Sequence, residues 1–377
     1  MDHRGRTGGC RTTRRPPRPA RAPTVLLLAL LALAAGTACR RDAGTPARAP
    51  KLEAGFLAMG GIPIHVRAWD ADPVAFAAAV DGFRVELERQ ESILSVHRAG
   101  STLSRLNGAG GAAVPVAPDT LALLELAAEC AAETGGAFDP TVGPLLAAWK
   151  EAARSGVEPT AERIAAARAS VGMQRVHADD DGRSGGTVRL EPPTTLDLGG
   201  IAKGWFADLG LARLRAAGLR RGLVELGGDL SAYDDRPQPE PFRVGVRDPS
   251  RTDGFLGTLA IDGGSVVTSG DYERGYDVGG RHFNHIIDPR SGRPASGLRA
   301  VTLQAPTGAR ADALATAVMV LGERDGWAFL ARTPDAGAVL VVGDPAAPDG
   351  LRIRVTPDLR ERFEPDAARR ASLDPSP

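Results

Sequence analysis

The second half of the chain carries strand-like segments that follow one another with few helical patterns between them. These runs are 222–226, 242–246, 256–261, 265–268, 283–287, 300–304, 338–342 and 352–356, and one earlier run lies at 64–68. A doubly wound parallel sheet places a helix between successive strands. The order of the segments therefore predicts an α+β fold.

Apolar residues at helical spacing mark six further segments. They are 74–93, 119–133, 160–170, 200–217, 311–321 and 325–332. Asp119 stands where the second of these helices needs an N-cap. Cys130 lies inside the same helix, where it is read as a small core residue. We expect a single globular unit with two sub-regions, whose boundary we place near 182–186.

Composition limits the classes of partner. The chain has 377 residues and no formal net charge, and only 5% of its residues are aromatic. A neutral chain has no overall field that attracts nucleic acid, and few aromatic side chains are available to stack on bases. We therefore expect no nucleic-acid partner.

The first 39 residues differ from the rest. Seven arginines lie among the first 21 residues, and an apolar run at 25–35 follows. This pattern is typical of a secretory signal, and the run is too short to span a membrane. The Thr-Ala-Cys that ends at Cys39 resembles a bacterial lipobox, although Gly36 stands where leucine is usual. We predict a lipoprotein-type signal peptide at 1–38 and a polar tether at 39–50. The alternative is cleavage elsewhere, with Cys39 incidental.

The stretch LDLGGIAKGWFAD, at 196–208, could hold an anion. Of 46 lysines and arginines only three are lysines, and Lys203 falls here, in the first turn of an expected helix. A compact ammonium at a helix start suits phosphate; the alternative is a surface lysine. Asp197 could bind a ribose or base, or cap the helix. The Walker pattern is absent.

Asp312 and Thr316 are four residues apart, so both side chains lie on one face of a helix. A carboxylate and a hydroxyl are hard oxygen donors that suit Mg²⁺. The alternative is that Asp312 sits in a first turn and that Thr316 bonds back to its own helix.

Two other segments could serve a ligand. Glycines and prolines at 135–144 predict an ordered loop, which either presents backbone groups to a planar ligand or is a structural turn. Asp271 lies in a Ser-Gly-Asp-Tyr segment, and His285 opens a His-Ile-Ile-Asp-Pro segment. A histidine near a phosphate could act as a general base or donate a hydrogen bond, or it could be structural.

Together these segments resemble the ApbE family of FAD:protein FMN transferases. The matching motifs are SVHRAGSTLSRLN (95–107), GAFDPTVGPL (136–145), LDLGGIAKGWFAD (196–208), ELGGDL (225–230), TSGDYE (268–273), HIIDPRSGRP (285–294) and ADALATA (311–317), preceded by Met59-Gly60. Departures from the family pattern are His97 in place of an aromatic ring, Gly61 in place of threonine, Gly200 in place of alanine and Glu225 in place of asparagine.

The resemblance implies an α+β fold with FAD and Mg²⁺ in a cleft. FMN would pass from FAD to a threonine hydroxyl of an acceptor flavoprotein as a phosphoester, with AMP as the leaving group. The alternatives are a pyrophosphatase that gives free FMN and AMP, and a non-catalytic FAD-binding lipoprotein.

The resemblance also assigns residues and location. The flavin contacts are Met59, His97, Ala137, Phe138, Asp139, Asp197, Lys203 and Ile286; the metal ligands are Asp312, Thr316 and the carbonyl of Gly200; the catalytic residues are His285 and, second, Asp271. The catalytic domain would span 51–365, ahead of a flexible tail at 366–377. The protein is expected at the periplasmic face of a bacterial membrane, in the cell envelope, anchored by lipid at Cys39.

Overall fold

The computed structural model describes residues 51–251, 253–272, 275–347 and 349–374. The expected signal peptide, the tether and Cys39 lie outside the described residues. Within these ranges, no helix combines the length and apolar character needed to cross a bilayer.

The described chain is a mixture of strands and helices. The strands are β1 (Lys51–Ala58), β2 (Ile62–Trp69), β3 (Val114–Val116), β4 (Val176–Asp180), β5 (Gly186–Leu190), β6 (Arg221–Leu226), β7 (Asp229–Asp234), β8 (Phe242–Arg247), β9 (Phe255–Ile261), β10 (Gly264–Gly270), β11 (Gly275–Val278), β12 (Arg281–Asn284), β13 (Leu298–Ala305), β14 (Gly337–Gly343), β15 (Leu351–Val355) and β16 (Phe363–Pro365). The helices are α1 (Pro73–Leu94), α2 (Thr102–Gly108), α3 (Pro118–Glu133), α4 (Gly143–Ser155), α5 (Ala161–Arg168), α6 (Ala202–Ala216), α7 (Gly308–Leu330) and α8 (Pro357–Arg360). Short 3₁₀ turns lie at Met173–Arg175 and Ala367–Ser372.

An eight-stranded sheet organises the molecule, in the order β1-β2-β6-β7-β10-β13-β14-β15. Every neighbouring pair in it is antiparallel. The main core lies between one face of this sheet and α1, α3, α6 and α7. A smaller sheet, β16-β9-β8, packs on the other face and closes a second core. The predicted α+β class is therefore confirmed.

A third, smaller core joins α4 and α5 to the β11–β12 hairpin. Trp149 is buried at its centre, and its indole Nε1 donates to the carbonyl of Gly292 (2.9 Å). This core brings the HIIDPRSGRP motif against the helix that follows the GAFDPTVGPL loop.

Three predictions about the helices can be compared with the structure. Asp119 is not the cap of α3, which begins at Pro118 after Ala117; instead its carboxylate pairs with Arg89 on α1. The two helices predicted at 311–321 and 325–332 are confirmed: they are the two helical segments of α7, separated at Gly322, where φ is 76°. Cys130 is buried as predicted, and burial raises the pKa of its thiol to about 11.

The predicted boundary near 182–186 is also wrong. The segment around it is the turn of a hairpin, because β4 pairs antiparallel with β5. The backbone N–H of Asp181 closes this turn on the carbonyl of Gly185 (2.9 Å). Residues 182–186 therefore lie within one small sheet and do not separate two sub-regions.

The predicted flexible tail is wrong for its described part. Arg369 is buried, and its guanidinium donates from Nε to Asp248 (2.8 Å) and from Nη1 to Asp349 (2.6 Å). Asp374 then donates its N–H to the carbonyl of Ile353 on β15 (2.8 Å). The 3₁₀ turn thereby fastens the chain end to two loops.

Replacing Arg369 by alanine should lower the free energy of unfolding by about 3–5 kcal/mol, because it leaves the fully buried carboxylate of Asp248 without its cation. Urea unfolding measures the change. Arg370→Ala, at the exposed neighbouring position, is the control and should unfold like the parent protein. Equal stability of both variants would mean that the tail does not hold these loops.

Candidate active site

Three of the motifs meet at residues 195–198. The side-chain amide of Asn107 donates from Nδ2 to the carbonyl of Leu196 and accepts its N–H at Oδ1, each at 2.8 Å. The N–H of Asp197 donates to the carbonyl of Pro140 (2.7 Å). The last residue of the first motif and the middle of the second are thus tied to the start of the third. No local sequence pattern marks Asn107, since its role appears only when distant segments meet.

Replacing Asn107 by alanine should lower the free energy of unfolding by about 2 kcal/mol, because both backbone groups of Leu196 lose a part-buried partner. Denaturant melts measure this loss. Ser104→Ala, one turn earlier in α2, removes only a long 3.4 Å contact to Ser95 and serves as the control. A melt of Asn107→Ala that matches that of Ser104→Ala would contradict the assignment.

The helices α6 and α7 touch through two glycines. A Cβ on Gly204 would lie only 1.9 Å from the carbonyl oxygen of Gly308, so their backbones are in contact. Asp208, one turn later, accepts the N–H groups of Gly308 (2.7 Å) and Ala309 (3.0 Å). Burial raises the pKa of this carboxyl, while the two N–H groups act in the opposite direction. The LDLGGIAKGWFAD motif therefore fixes the position of α7.

This crossing brings the predicted metal ligands together. Asp312 is 3% exposed, and its Oδ2 accepts the N–H of Gly204 (3.2 Å). A Cβ on Gly200 would lie 3.1 Å from Thr316 Oγ1 and 3.4 Å from the ring of Phe138. A carboxylate on α7, a hydroxyl one turn along it and the glycine backbone ahead of α6 thus lie side by side.

The donor set fits Mg²⁺. All three groups offer hard oxygen, which Mg²⁺ prefers, and this ion usually keeps several water or phosphate ligands besides a carboxylate. Among the described residues there is no group of three His, Cys, Asp or Glu side chains suited to a metal. An ion at this point would therefore be held by one carboxylate together with hydroxyl and backbone oxygens.

The turn ahead of α6 uses some of its N–H groups in hydrogen bonds of its own. The N–H of Gly199 donates to Asp197 Oδ1 (2.8 Å), and that of Ala202 to the carbonyl of Leu198 (2.9 Å). The Asp197 carboxylate thus closes the turn ahead of α6, while Ile201 at the cap has no side-chain cap bond. Fewer N–H groups of this turn are therefore left to cradle a phosphate, and the expectation that Gly200 offers its carbonyl to a cation stands.

Lys203 is not a surface lysine. Its Nζ forms an ion pair with Asp229 Oδ2, and the Asp229 side chain is 3% exposed. Asp229 Oδ1 also accepts the N–H of Thr268 on β10 (3.0 Å). The pair links the start of α6 to the strand that leads into Asp271. Asp229 belongs to the ELGGDL motif and was not among the predicted site residues.

The loop at 135–144 is ordered, and its own side chains account for part of this order. Asp139 Oδ1 accepts the N–H (2.8 Å) and the hydroxyl (2.6 Å) of Thr141. Burial raises the pKa of Asp139, and the bonds from Thr141 oppose the shift. Ala137 and Phe138 are buried in the main core. α4 begins inside this predicted loop, at Gly143.

Met59 lies in the turn between β1 and β2 with a φ of 50°. A positive φ is uncommon for a residue other than glycine, and such backbone strain clusters at ligand sites. The side chain packs partly against the main core.

The remaining residues predicted to contact the flavin, Ile286 and His97, have fewer contacts with this group. Ile286 is buried; its N–H donates to Asn284 Oδ1 (3.0 Å) and its carbonyl accepts from Ala295 (2.8 Å). His97 is exposed after α1, with its N–H on Ser95 Oγ (3.2 Å). Within the described ranges, no hydrogen bond or ion pair joins His97 to the other predicted residues.

The two catalytic candidates lie on neighbouring segments. Asp271 directly follows β10 and pairs with Arg299 at 2.7 Å. His285 directly follows β12 and is half-buried. Burial, and the nearby carboxylate of Asp197, raise the pKa of Tyr276 on the paired strand β11. The hairpin that leads to His285 therefore lies beside the turn ahead of α6.

The ApbE family model matches residues 60–340. The chain belongs to the ApbE family. A protein of Treponema pallidum named FAD:protein FMN transferase is 36% identical over 300 residues, which is 75% of this chain and 83% of that protein. A protein of Rhodobacter capsulatus with the same name is 37% identical over 270 residues, 71% of this chain; the match spans half (50%) of the relative's length.

Solved structures agree with this ApbE fold. The ApbE protein of Thermotoga maritima superposes with a TM-score of 0.73 at 28% identity, covering 84% of this chain and all (100%) of that one. The apo form of the flavinyl transferase ApbE of Pseudomonas stutzeri superposes with a TM-score of 0.71 at 30% identity. The match covers 85% of this chain and 98% of that one. The expected family and fold are confirmed, and the expected activity class is the one that these relatives carry in their names.

Proposed function

We propose that this ApbE-family chain transfers FMN from FAD to a threonine hydroxyl of an acceptor flavoprotein, with Mg²⁺ bound between α6 and α7 and with release of AMP. The names of the relatives from Treponema pallidum and Rhodobacter capsulatus support the transferase class. We also propose a lipid anchor at Cys39 on the periplasmic face of a bacterial membrane, on the basis of the basic and apolar leader.

The observation that carries the proposal is the meeting of Asp312, Thr316 and Gly200 beside Phe138. Phosphoryl transfer depends mainly on positioning and on neutralising charge at the phosphate oxygens. Mg²⁺ held by these oxygens would bind the pyrophosphate of FAD and make AMP a better leaving group. Lys203, in the first turn of α6, brings an ammonium group that is paired with Asp229.

The proposed reaction is a single displacement at phosphorus, and the protein residues have to align its reactants. The threonine oxygen of the acceptor forms a bond to the FMN phosphorus, and the bond from that phosphorus to the bridging oxygen breaks, so that AMP carries the electron pair away. The hydroxyl proton passes to a base in the site, for which His285 and Asp271 are the candidates. The ring of Phe138 and the ordered loop around Asp139 would form one wall for the flavin nucleotide.

Chromatography of the nucleotides tests the proposal. The protein is incubated with FAD in Mg²⁺ or in EDTA, with and without an acceptor that one of the named FAD:protein FMN transferases modifies. We expect AMP only with Mg²⁺, and far more of it when the acceptor is present. Free FMN at the same rate without acceptor would identify hydrolysis, and intact FAD in all samples would identify a binding protein.

A further inference from the structure

The first turn of α7 is held by a carboxylate from another helix. Asp208 on α6 accepts the N–H of Gly308 at Oδ1 (2.7 Å) and the N–H of Ala309 at Oδ2 (3.0 Å). The next N–H, that of Arg310, lies 3.4 Å from the hydroxyl of the N-cap residue Thr307. The first N–H groups of a helix have no partner within the helix itself. Asp208 therefore satisfies two of them from outside α7.

The crossing of α6 and α7 is bridged a second time, in the opposite sense. Asp312, one turn after Gly308 on α7, accepts the N–H of Gly204 on α6 (3.2 Å). Each helix thus presents a carboxylate to the backbone of the other, next to the contact between Gly204 and Gly308. Two glycines have no side chains that could interlock, so their contact sets the distance between the helices but not the rotation of α7. The hydrogen bonds of the two carboxylates supply that constraint.

The predicted metal ligands lie further along the same helix. A helix rises about 1.5 Å per residue, so Asp312 lies about 6 Å and Thr316 about 12 Å beyond Gly308. Thr316 Oγ1 would be 3.1 Å from a Cβ on Gly200, which leaves little room for α7 to turn. A rotation or shift of the first turn of α7 is therefore carried to both ligands.

The charge of Asp208 is balanced by the start of α7. Burial raises the pKa of this carboxyl, and the groups that oppose the shift are the N–H groups of Ala309 and Gly308 and the hydroxyl of Ser231. Among the described residues, none of these groups is a cation. The N-terminus of a helix carries a partial positive charge that favours an anion. Loss of the charge should therefore weaken the attachment of α7 even when the shape of the side chain is kept.

We propose that Asp208 is a positioning residue for the metal site: by capping α7 from α6, it holds Asp312 and Thr316 against Gly200 and so sets the affinity for Mg²⁺. This role rests on the proposed Mg²⁺-dependent transfer of FMN. Asp208 acts through the placement of α7, so a change at this position should affect metal binding and leave the chemical step intact.

Binding of Mn²⁺, followed by electron paramagnetic resonance, tests this role without turnover. Asp208→Asn keeps the shape of the side chain but loses its charge and turns an amide donor toward an N–H group. Mn²⁺ should bind about 10- to 100-fold more weakly, which is the cost of changing an outer partner of a metal ligand. In FMN transfer, the Mg²⁺ concentration that gives half the maximal rate should rise by the same factor, while the rate at saturating Mg²⁺ stays near that of the parent protein.

A purely structural role would give a different pattern. The amount of folded protein and the maximal rate would fall, while the affinity for Mn²⁺ and the half-saturating Mg²⁺ concentration would stay unchanged, and this result would overturn the proposal. Asp72→Asn is the matched control, because Asp72 caps α1 by accepting the N–H of Ala75 (2.8 Å) and α1 carries none of the predicted metal ligands. It should bind Mn²⁺ as the parent protein does.

A second variant covers the case in which Asp208→Asn does not fold. Asp208→Glu keeps the charge but moves it by one methylene group, and it should also bind Mn²⁺ more weakly than the parent protein; an unchanged affinity would overturn the proposal. If the parent protein binds no Mn²⁺ or transfers no FMN, the proposed function fails. If the parent protein does both and Asp208→Asn binds Mn²⁺ equally well, the role of Asp208 fails and the proposed function stands.

Discussion

Asp312→Asn is expected to lower the rate of Mg²⁺-dependent FMN transfer by at least on the order of 100-fold, because substitution of even an outer partner of a metal ligand costs 10- to 100-fold. Asparagine has the same shape and keeps an oxygen that can accept the N–H of Gly204. The fold should therefore remain, while the carboxylate charge that Mg²⁺ prefers is lost. Initial rates over a range of Mg²⁺ concentrations measure the effect.

The matched control for Asp312→Asn lies on the same helix. Asp325→Asn removes a carboxylate that is 56% exposed and whose ion pair, within the described part of the chain, is with the neighbouring Arg324. It should transfer FMN at the parent rate. Binding of Mn²⁺, followed by electron paramagnetic resonance, gives a readout apart from turnover: weaker binding in Asp312→Asn alone is expected. Equal Mn²⁺ affinity and equal rates in both variants would refute the metal assignment.

Gly204→Ala is expected to lower the free energy of unfolding by about 3 kcal/mol or more, at the upper end of overpacking costs. The added Cβ would lie 1.9 Å from the carbonyl oxygen of Gly308, and backbone cannot move aside as the end of a side chain can. The two helices must separate, which also moves Asp312 away from Gly200. Urea unfolding, or soluble yield if the variant does not purify, measures the effect.

Gly82→Ala is the control, because a Cβ at this position in α1 meets nothing within 4 Å. Alanine is favoured over glycine in a helix by about 1 kcal/mol, so this variant should be slightly more stable than the parent protein. The same substitution thus has opposite signs at the two sites. A Gly204→Ala protein as stable as the parent would show that the close approach of α6 and α7 is not required.

The sequence predicts those parts of the site that depend on the spacing of residues close together in the chain. Asp312 and Thr316 are recognisable because a helix places residues four apart on one face. Lys203 stands out because lysine is rare in this chain. Those residues do lie near the meeting of α6 and α7, which the family motifs also implied.

Other features depend on tertiary contacts that no local pattern shows. Asp208 holds the first N–H groups of an element 100 residues away, and Asn107 binds a segment 89 residues away. The strands β4 and β5 escaped prediction because the sequence between 176 and 190 is rich in aspartate and glycine. The helix α4 was not predicted, although Pro144 occupies a first-turn position that favours helix initiation.

The most direct test of the central claim is mass spectrometry of an acceptor flavoprotein after incubation with this protein, FAD and Mg²⁺. The acceptor should gain the mass of one FMN less water, on a peptide whose modified residue is threonine, and AMP should form in equal amount. A Thr→Val acceptor should gain nothing, and the parent acceptor should be modified far more slowly by Asp312→Asn than by the parent protein. An acceptor that stays unmodified while FAD is consumed, or one that is modified equally without Mg²⁺, would contradict the account.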